Sequence, residues 1–207
     1  MTRFVERCSQ GLLALLAVGL LVGCWPRTSK ERLADDFKPT SLLDGYPYAV
    51  QKANQWSPKA FLEGASVGYR WQDHSWKPYG LSYVFVDAEQ RESMLIVIRL
   101  DTRVAETNPP VQIEYSQVST LPFFLLGNPV GEAEALEIAH KVLGDRVVLK
   151  CRNPEVTLRG RGFGEHQYWG LSYTAREPLW RVVGEVSVDA ISGEVLTPED
   201  LTHYCNE

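Results

Sequence analysis

The 207-residue sequence contains no run of basic residues, no Cys-x-x-Cys motif and no pair of histidines at metal-ligand spacing. Its formal net charge is −5. Because nucleic acid phosphates are bound by clustered lysines and arginines, we predict no nucleic acid partner. The four histidines are scattered along the chain, whereas protein zinc sites place ligands at short, fixed spacings. We therefore predict neither a metal site nor a cofactor.

The sequence also lacks an apolar run long enough to cross a bilayer. The apolar run near its start covers only residues 11–22, whereas a transmembrane helix needs roughly 20 residues. The run follows a short basic start with Arg3 and Arg7, and the small residue Gly23 comes directly after it. A basic start, a short apolar segment and a small residue together indicate an export signal.

The four residues Leu21-Val22-Gly23-Cys24 resemble the lipobox of bacterial lipoproteins. The resemblance implies that residues 1–23 are removed as a signal peptide and that Cys24 then carries the lipid that anchors the chain to a membrane. It also implies the periplasmic face of the outer membrane, because Trp25 stands where an aspartate would retain a lipoprotein in the inner membrane. In a host with a single membrane, the outer face of that membrane is expected. An ordinary cleaved signal with a chance cysteine, or an uncleaved anchor, is the alternative.

The remaining cysteines indicate one disulfide. Cys8 leaves with the signal and Cys24 takes the lipid, so Cys151 and Cys205 are the only pair left in an oxidising compartment. A bond between them would close a loop of about 54 residues and stabilise the fold by about 2–4 kcal/mol. Two buried free thiols are the alternative.

The spacing of apolar residues predicts two helices. The first has Pro47 in its first turn and extends to Trp56. The second has Glu132 and Glu134 in its first turn, where carboxylates complement the helix dipole, and ends at Gly144. Their predicted apolar faces are Ala49, Ala53 and Trp56 in the first helix, and Leu136, Ala139 and Leu143 in the second.

Strands are predicted after each helix, from β-branched and alternating apolar residues. They cover residues 61–71, 80–87 and 93–101 behind the first helix, and 146–158, 167–175, 179–189 and 194–196 behind the second.

A short repeat links the two halves. Gly80-Leu81-Ser82-Tyr83 recurs as Gly170-Leu171-Ser172-Tyr173 at the same place in the two helix-and-strand series, which is typical of an internal duplication. We therefore predict an α+β fold of two related units, each with one helix packed on an antiparallel sheet of three or four strands. The predicted boundaries are a tether over 24–43, a first unit over 44–107, a linker over 108–130 and a second unit over 131–207.

The segment from Leu179 to Val195 resembles the end of a PepSY domain. In that family a Trp-x-Val strand precedes Val-Asp-Ala-x-x-Gly-x-Val, and here Trp180-Arg181-Val182 precedes Val188-Asp189-Ala190-Ile191-Ser192-Gly193-Glu194-Val195. The resemblance implies an extracytoplasmic module with a helix on an antiparallel sheet. It also implies a role in binding or inhibiting peptidases, with no catalytic residues of its own.

Aromatic residues are the candidate ligand-binding residues, because exposed rings can stack on a sugar or anchor a peptide. They are Trp71, Trp76 and Tyr79 in the first half, and Tyr168 and Trp169 in the second. The alternative is that these rings cover the core between helix and sheet.

Together these features predict a membrane-anchored, extracytoplasmic lipoprotein that is not an enzyme and that binds a protein, a peptide or an envelope polymer. One alternative is an envelope hydrolase with a site assembled from scattered residues. Gly-Leu-Ser-Tyr itself does not match the nucleophile elbow of hydrolases. The elbow requires glycine in the fifth place and a following helix, but Val84 and Thr174 stand there. The other alternative is a structural accessory subunit of an envelope complex.

Overall fold

The computed structural model describes residues 28–113, 129–163, 166–175 and 180–206. Its main element is one antiparallel sheet of ten strands. In chain order the strands are β1 (Ser29–Arg32), β2 (Phe61–Gln72), β3 (Ser75–Asp87), β4 (Glu92–Arg99), β5 (Val104–Thr107), β6 (Val111–Gln112), β7 (Glu155–Phe163), β8 (His166–Ala175), β9 (Arg181–Asp189) and β10 (Val195–Asp200). Their spatial order is β1-β5-β4-β3-β2-β7-β8-β9-β10, and the short β6 also pairs with β4.

The helices pack against this sheet. They are α1 (Leu42–Trp56), α2 (Glu132–Ala139), a π-helical turn (His140–Gly144), α3 (Asp145–Lys150) and a C-terminal 3-10 turn (Thr202–Asn206). Helix α1 lies over β2, β3 and β4, and helix α2 lies over β8 and β9. No helix within the described ranges has the length and apolar character needed to cross a bilayer.

The core is a continuous apolar layer between the helices and the sheet. Residues paired directly across antiparallel strands project from the same face. One such row crosses seven strands, and each of its members is at most 2 % exposed: Ala105, Ile98, Leu81, Val67, Leu158, Leu171 and Val186. Leu81 and Leu171 therefore face the helices, and the serines that follow them face the other way.

The prediction of two units, each with its own small sheet, is wrong. Strands β2 and β7 pair with each other over residues 66–70 and 155–159, which joins both halves into one sheet. Separate small sheets would each leave a row of unpaired backbone groups along this edge, and the joined sheet satisfies them. Val67 and Leu158, on the two sides of the junction, are fully buried.

The end of the second helix also differs from the prediction. Gly144 does not end it, because the helical backbone continues through the π turn and α3 to Cys151, whose amide bonds to the Val147 carbonyl. The His140 ring fills the space beside Gly144, where a Cβ would lie 2.2 Å from Nδ1. Residues 146–150, predicted as strand, are therefore helical, since the burial of Val147 outweighs β propensity.

Helix α1 begins before the predicted boundary. It begins at Leu42, so Pro47 lies inside the helix and not in its first turn. Strand β1 also lies within the segment 24–43 that was predicted as a tether. The predicted apolar faces of the two helices are confirmed: all of their members are buried except Trp56, which is partly buried against the core.

The predicted disulfide between Cys151 and Cys205 is present, with the two Cα atoms 5.0 Å apart. It joins the end of α3 to the C-terminal 3-10 turn. The prediction placed Cys151 in a strand, but it lies at the end of a helix.

Candidate functional site

The candidate site is a cleft of about 580 Å³ between the N-terminal ends of α1 and α2, which we call the N-terminal cleft. Its lining includes Thr40, Ser41, Glu132, Glu134, Tyr69 and Trp169. The starts of the two helices therefore meet above the face of the sheet that the helices cover. Strand β2 contributes Tyr69 to the cleft, and β8 contributes Trp169. Cavities of this size, with few polar groups, are typical of ligand sites.

The α1 side of the cleft is fixed by helix capping. Ser41 is the N-cap residue, and its hydroxyl accepts a hydrogen bond from the Asp44 amide at 3.1 Å. The Asp44 carboxylate in turn accepts bonds from the amide and the hydroxyl of Thr40, at 3.0 and 2.9 Å. These bonds keep the pKa of Asp44 below its usual value. Both lining hydroxyls are therefore engaged in holding the start of the helix.

The α2 side is held by the sheet. The Trp169 indole donates to the Val130 carbonyl at 2.8 Å, and the Val130 amide donates to the Ala190 carbonyl at 3.1 Å. Ala190 belongs to the turn between β9 and β10, which includes Gly193 at a φ of +74°. A side chain at Gly193 would be strained by that backbone conformation. The position of Gly131 and Glu132 thus depends on this turn.

Glu132 is the chemically unusual residue of the cleft. Its carboxylate accepts the Leu42 amide at 2.9 and 3.3 Å, so it satisfies the first free N–H group of α1 from the other helix. Burial raises the pKa of Glu132 to about 7, the Leu42 bond lowers it, and the nearby Asp44 charge raises it further. No basic side chain contributes to this balance within the described ranges. The carboxyl group therefore changes its charge near neutral pH.

Tyr69 forms the floor of the cleft. It is 7 % exposed, and burial beside the Glu132 carboxylate raises its pKa. Its hydroxyl makes no hydrogen bond to any residue that the structure describes. The Tyr83 hydroxyl, also near Glu132, donates to the Leu42 carbonyl at 2.7 Å. Among the described residues, the one buried side-chain hydroxyl without a hydrogen-bond partner is that of Tyr173 on β8, so the Tyr69 hydroxyl is reached by solvent at the surface of the cleft.

A second group of packed side chains, which we call the hairpin cluster, contains two of the predicted aromatic residues. The cluster consists of Trp71, Trp76, His140 and Tyr173, and adjacent ring centroids lie 5.2–6.1 Å apart. The Trp76 indole donates to His140 Nδ1 at 3.2 Å, and His140 Nε2 lies 3.3 Å from an Asp145 oxygen. These contacts attach the β2–β3 hairpin to the π turn.

The other predicted aromatic residues lie elsewhere. Tyr79 is on the opposite face of the sheet, where its hydroxyl donates to Glu155 at 3.0 Å and Arg70 lies over its ring. Tyr168 is partly exposed on β8, and Trp169 is 1 % exposed in the core. The five aromatic residues therefore do not form one stacking surface. Trp169 contributes to the N-terminal cleft from beneath.

The two serines of the Gly-Leu-Ser-Tyr segments lie on the face away from the helices. Ser82 lines a shallow depression of about 380 Å³ together with Ser66 and Arg159. Ser172 donates to Glu185 at 2.9 Å. Neither serine contacts a histidine side chain in the described part of the protein. The side chain of His166 and the whole of Cys24 lie outside that part.

The described residues contain no group of three or more side chains that could together hold a metal ion. Comparison of the chain with protein-family models, with curated proteins and with solved structures finds no match.

Proposed function

We propose that the protein is a membrane-anchored extracytoplasmic lipoprotein that binds a polypeptide or an envelope polymer without catalysing a reaction, and that the N-terminal cleft is its binding site. One observation carries the binding role. The partly buried Glu132 carboxylate, which accepts the Leu42 amide, and the Tyr69 hydroxyl both border the cleft without a side-chain partner among the described residues. A bound molecule would supply the missing contacts.

The state of the other polar groups favours binding over acyl transfer. A nucleophilic hydroxyl needs a base positioned to take its proton. The Ser41 hydroxyl accepts the Asp44 amide, and the Thr40 hydroxyl donates to the Asp44 carboxylate, so both are occupied by the cap of α1. The cleft is also held in shape by the Trp169 and Leu42 bonds before any ligand arrives, which reduces the entropic cost of binding.

The anchor proposal rests on Leu21-Val22-Gly23-Cys24 and on the disulfide, a bond typical of oxidising compartments. Strand β1 begins at Ser29, five residues after Cys24. A chain of that length spans at most about 17 Å. A lipidated Cys24 would therefore hold the β1 edge of the sheet close to the membrane surface.

Site-specific photocrosslinking in intact envelopes tests the binding role. A benzophenone amino acid would replace Leu43, which lines the cleft and is 57 % exposed. The control position is Leu149 on α3, which is 84 % exposed and about 25 Å further along the helical segment from Glu132 at 1.5 Å per residue. We expect a discrete crosslinked product from position 43 and none from position 149. Equal products, or none from either position, would contradict the proposal.

A further inference from the structure

The N-terminal cleft has an unbalanced negative charge. Glu132 and Glu134 line it, and Asp44 lies close enough to Glu132 to influence its ionisation. None of the lining residues that the structure describes is basic. Each of the three carboxylates is also without an ion-pair partner in the described ranges, although eight ion pairs between lysine or arginine and a carboxylate occur there. The cleft therefore suits a positively charged group.

Tyr69 provides an independent indication of a ligand. Its side chain is more than nine-tenths buried and lines the cleft, and its hydroxyl has no hydrogen-bond partner among the described residues. A tyrosine oxygen can accept a hydrogen bond from an N–H donor. The Glu132 charge raises the pKa of Tyr69, so the two groups share one electrostatic environment, and a cation bound in the cleft would interact with both.

The remaining walls indicate what carries the cation. Tyr69 and Trp169 contribute aromatic surface, and Val130 and Leu43 contribute aliphatic surface. Such walls pack well against the methylene stem of lysine or arginine, whose charged end can then reach a polar group. In an amino sugar the ammonium group is attached directly to a hydroxylated ring, which would place hydroxyls against these apolar walls.

We propose that the N-terminal cleft binds a lysine or arginine side chain of a partner polypeptide, with the cationic end at Glu132 and Tyr69 and the stem along the apolar lining of the cleft. This inference rests on the proposed binding function and specifies its ligand. Glu134, which is exposed beside the opening, adds to the field that attracts the cation.

The ionisation of Glu132 supports this assignment. Asp44 on α1 raises the pKa of Glu132, the Glu132 charge raises the pKa of Tyr69 on β2 and Tyr83 on β3, and Glu134 lines the same cleft. All of these groups are neutral or negative, so only the Leu42 amide offsets the burial of the Glu132 charge in the described structure. A bound cation would compensate it and return the pKa of Glu132 toward its usual value.

The test is calorimetric titration of the purified, full-length mature protein in detergent. The probe is the blocked pentapeptide Ac-Ala-Ala-Lys-Ala-Ala-amide, and the matched control peptide has norleucine in place of lysine. Norleucine keeps the stem and removes the charge. Because the norleucine methyl group donates no hydrogen bond, whereas the lysine ammonium can make a charge-assisted one, we expect the lysine peptide to bind at least about tenfold more tightly.

Protein variants assign the effect to the cleft. Glu132→Gln keeps an oxygen for the Leu42 amide but removes the charge, so we expect it to abolish the preference for lysine over norleucine. Tyr69→Phe should weaken lysine binding severalfold. Glu137→Gln is the matched control, because Glu137 is an exposed glutamate on the same helix that pairs with Lys141 outside the cleft. It should leave binding unchanged.

The possible outcomes distinguish a failure of the cation assignment from a failure of the proposed binding role. Equal binding of the lysine and norleucine peptides, or no peptide binding while the crosslink at position 43 persists, would refute the cation assignment and leave a binding cleft. A glucosamine oligomer that binds through Glu132 when the lysine peptide does not would assign the cleft to an envelope polymer. Loss of both peptide binding and the crosslink would refute both proposals.

Discussion

Glu132→Gln should also change how the stability of the protein depends on pH. In the folded protein burial raises the pKa of Glu132 from 4.5 to about 7. A carboxyl group whose pKa is raised by folding holds its proton more tightly in the folded state. The contribution of Glu132 to stability is therefore largest below pH 4.5, and it is lost as the pH rises from 4.5 through 7.

The size of this effect on stability follows from the size of the pKa shift of Glu132. Each pKa unit corresponds to about 1.4 kcal/mol, so complete ionisation of Glu132 costs at most about 3.5 kcal/mol. The carboxylate borders a cleft, and water there screens part of its charge, so a cost of about 1–3 kcal/mol is the expected range. Glutamine resembles the protonated acid and has no such cost at any pH.

Chemical denaturation of the parent and of Glu132→Gln at pH 5, 6, 7 and 8 measures the effect. We expect similar free energies of unfolding at pH 5, and a growing advantage for the variant that levels off above pH 7. Glu137→Gln is the control, because the ion pair with Lys141 lowers the pKa of Glu137 and its titration is complete below this range. A difference between the parent and Glu132→Gln that stays constant from pH 5 to pH 8 would refute the claim that Glu132 is buried without compensation.

Four further outcomes are expected. Cys24→Ser should abolish metabolic palmitate labelling and leave a precursor that still carries residues 1–23, and equal labelling would contradict the lipoprotein proposal. Reduction of the bond between Cys151 and Cys205 should lower the free energy of unfolding by about 2–4 kcal/mol, measured by urea denaturation with and without reductant. Leu171→Ala should cost about 2–5 kcal/mol, because the side chain is fully buried in the central row. Ser172→Ala should change stability by less than about 0.5 kcal/mol, since its partner Glu185 is exposed, and a larger loss would assign this serine a role that its contacts do not explain.

Local patterns predicted most of the strands but not the sheet that they form. Alternation of apolar residues places Leu81 and Leu171 on one face, and the structure agrees. The pairing of β2 with β7 joins residues about 90 positions apart, and no local pattern specifies such a contact. It results from the tendency of exposed strand edges to pair.

Gly144 shows how packing can override a local stop signal. Glycine after an apolar stripe commonly ends a helix, and the valines that follow favour strands. Here the absence of a side chain at Gly144 leaves room for the His140 ring, which meets Trp76 from the β2–β3 hairpin. The helix continues because the buried contacts of Val147 and the disulfide at Cys151 hold its last turns in place.

Glu132, the central residue of the candidate site, was identified from the sequence but was assigned a different role. Glu132 was expected to be a solvated carboxylate that complements the dipole of its own helix. Its unusual chemistry arises because the start of α1, ninety residues away, packs over it and presents the Leu42 amide. Burial raises the pKa of this carboxylate, so its ionisation destabilises the fold at neutral pH, and groups of this kind concentrate at functional sites. Packing of the two helix starts therefore leaves the Glu132 charge without a counter-ion and the Tyr69 hydroxyl without a hydrogen-bond partner in the described structure. A bound lysine or arginine would supply both.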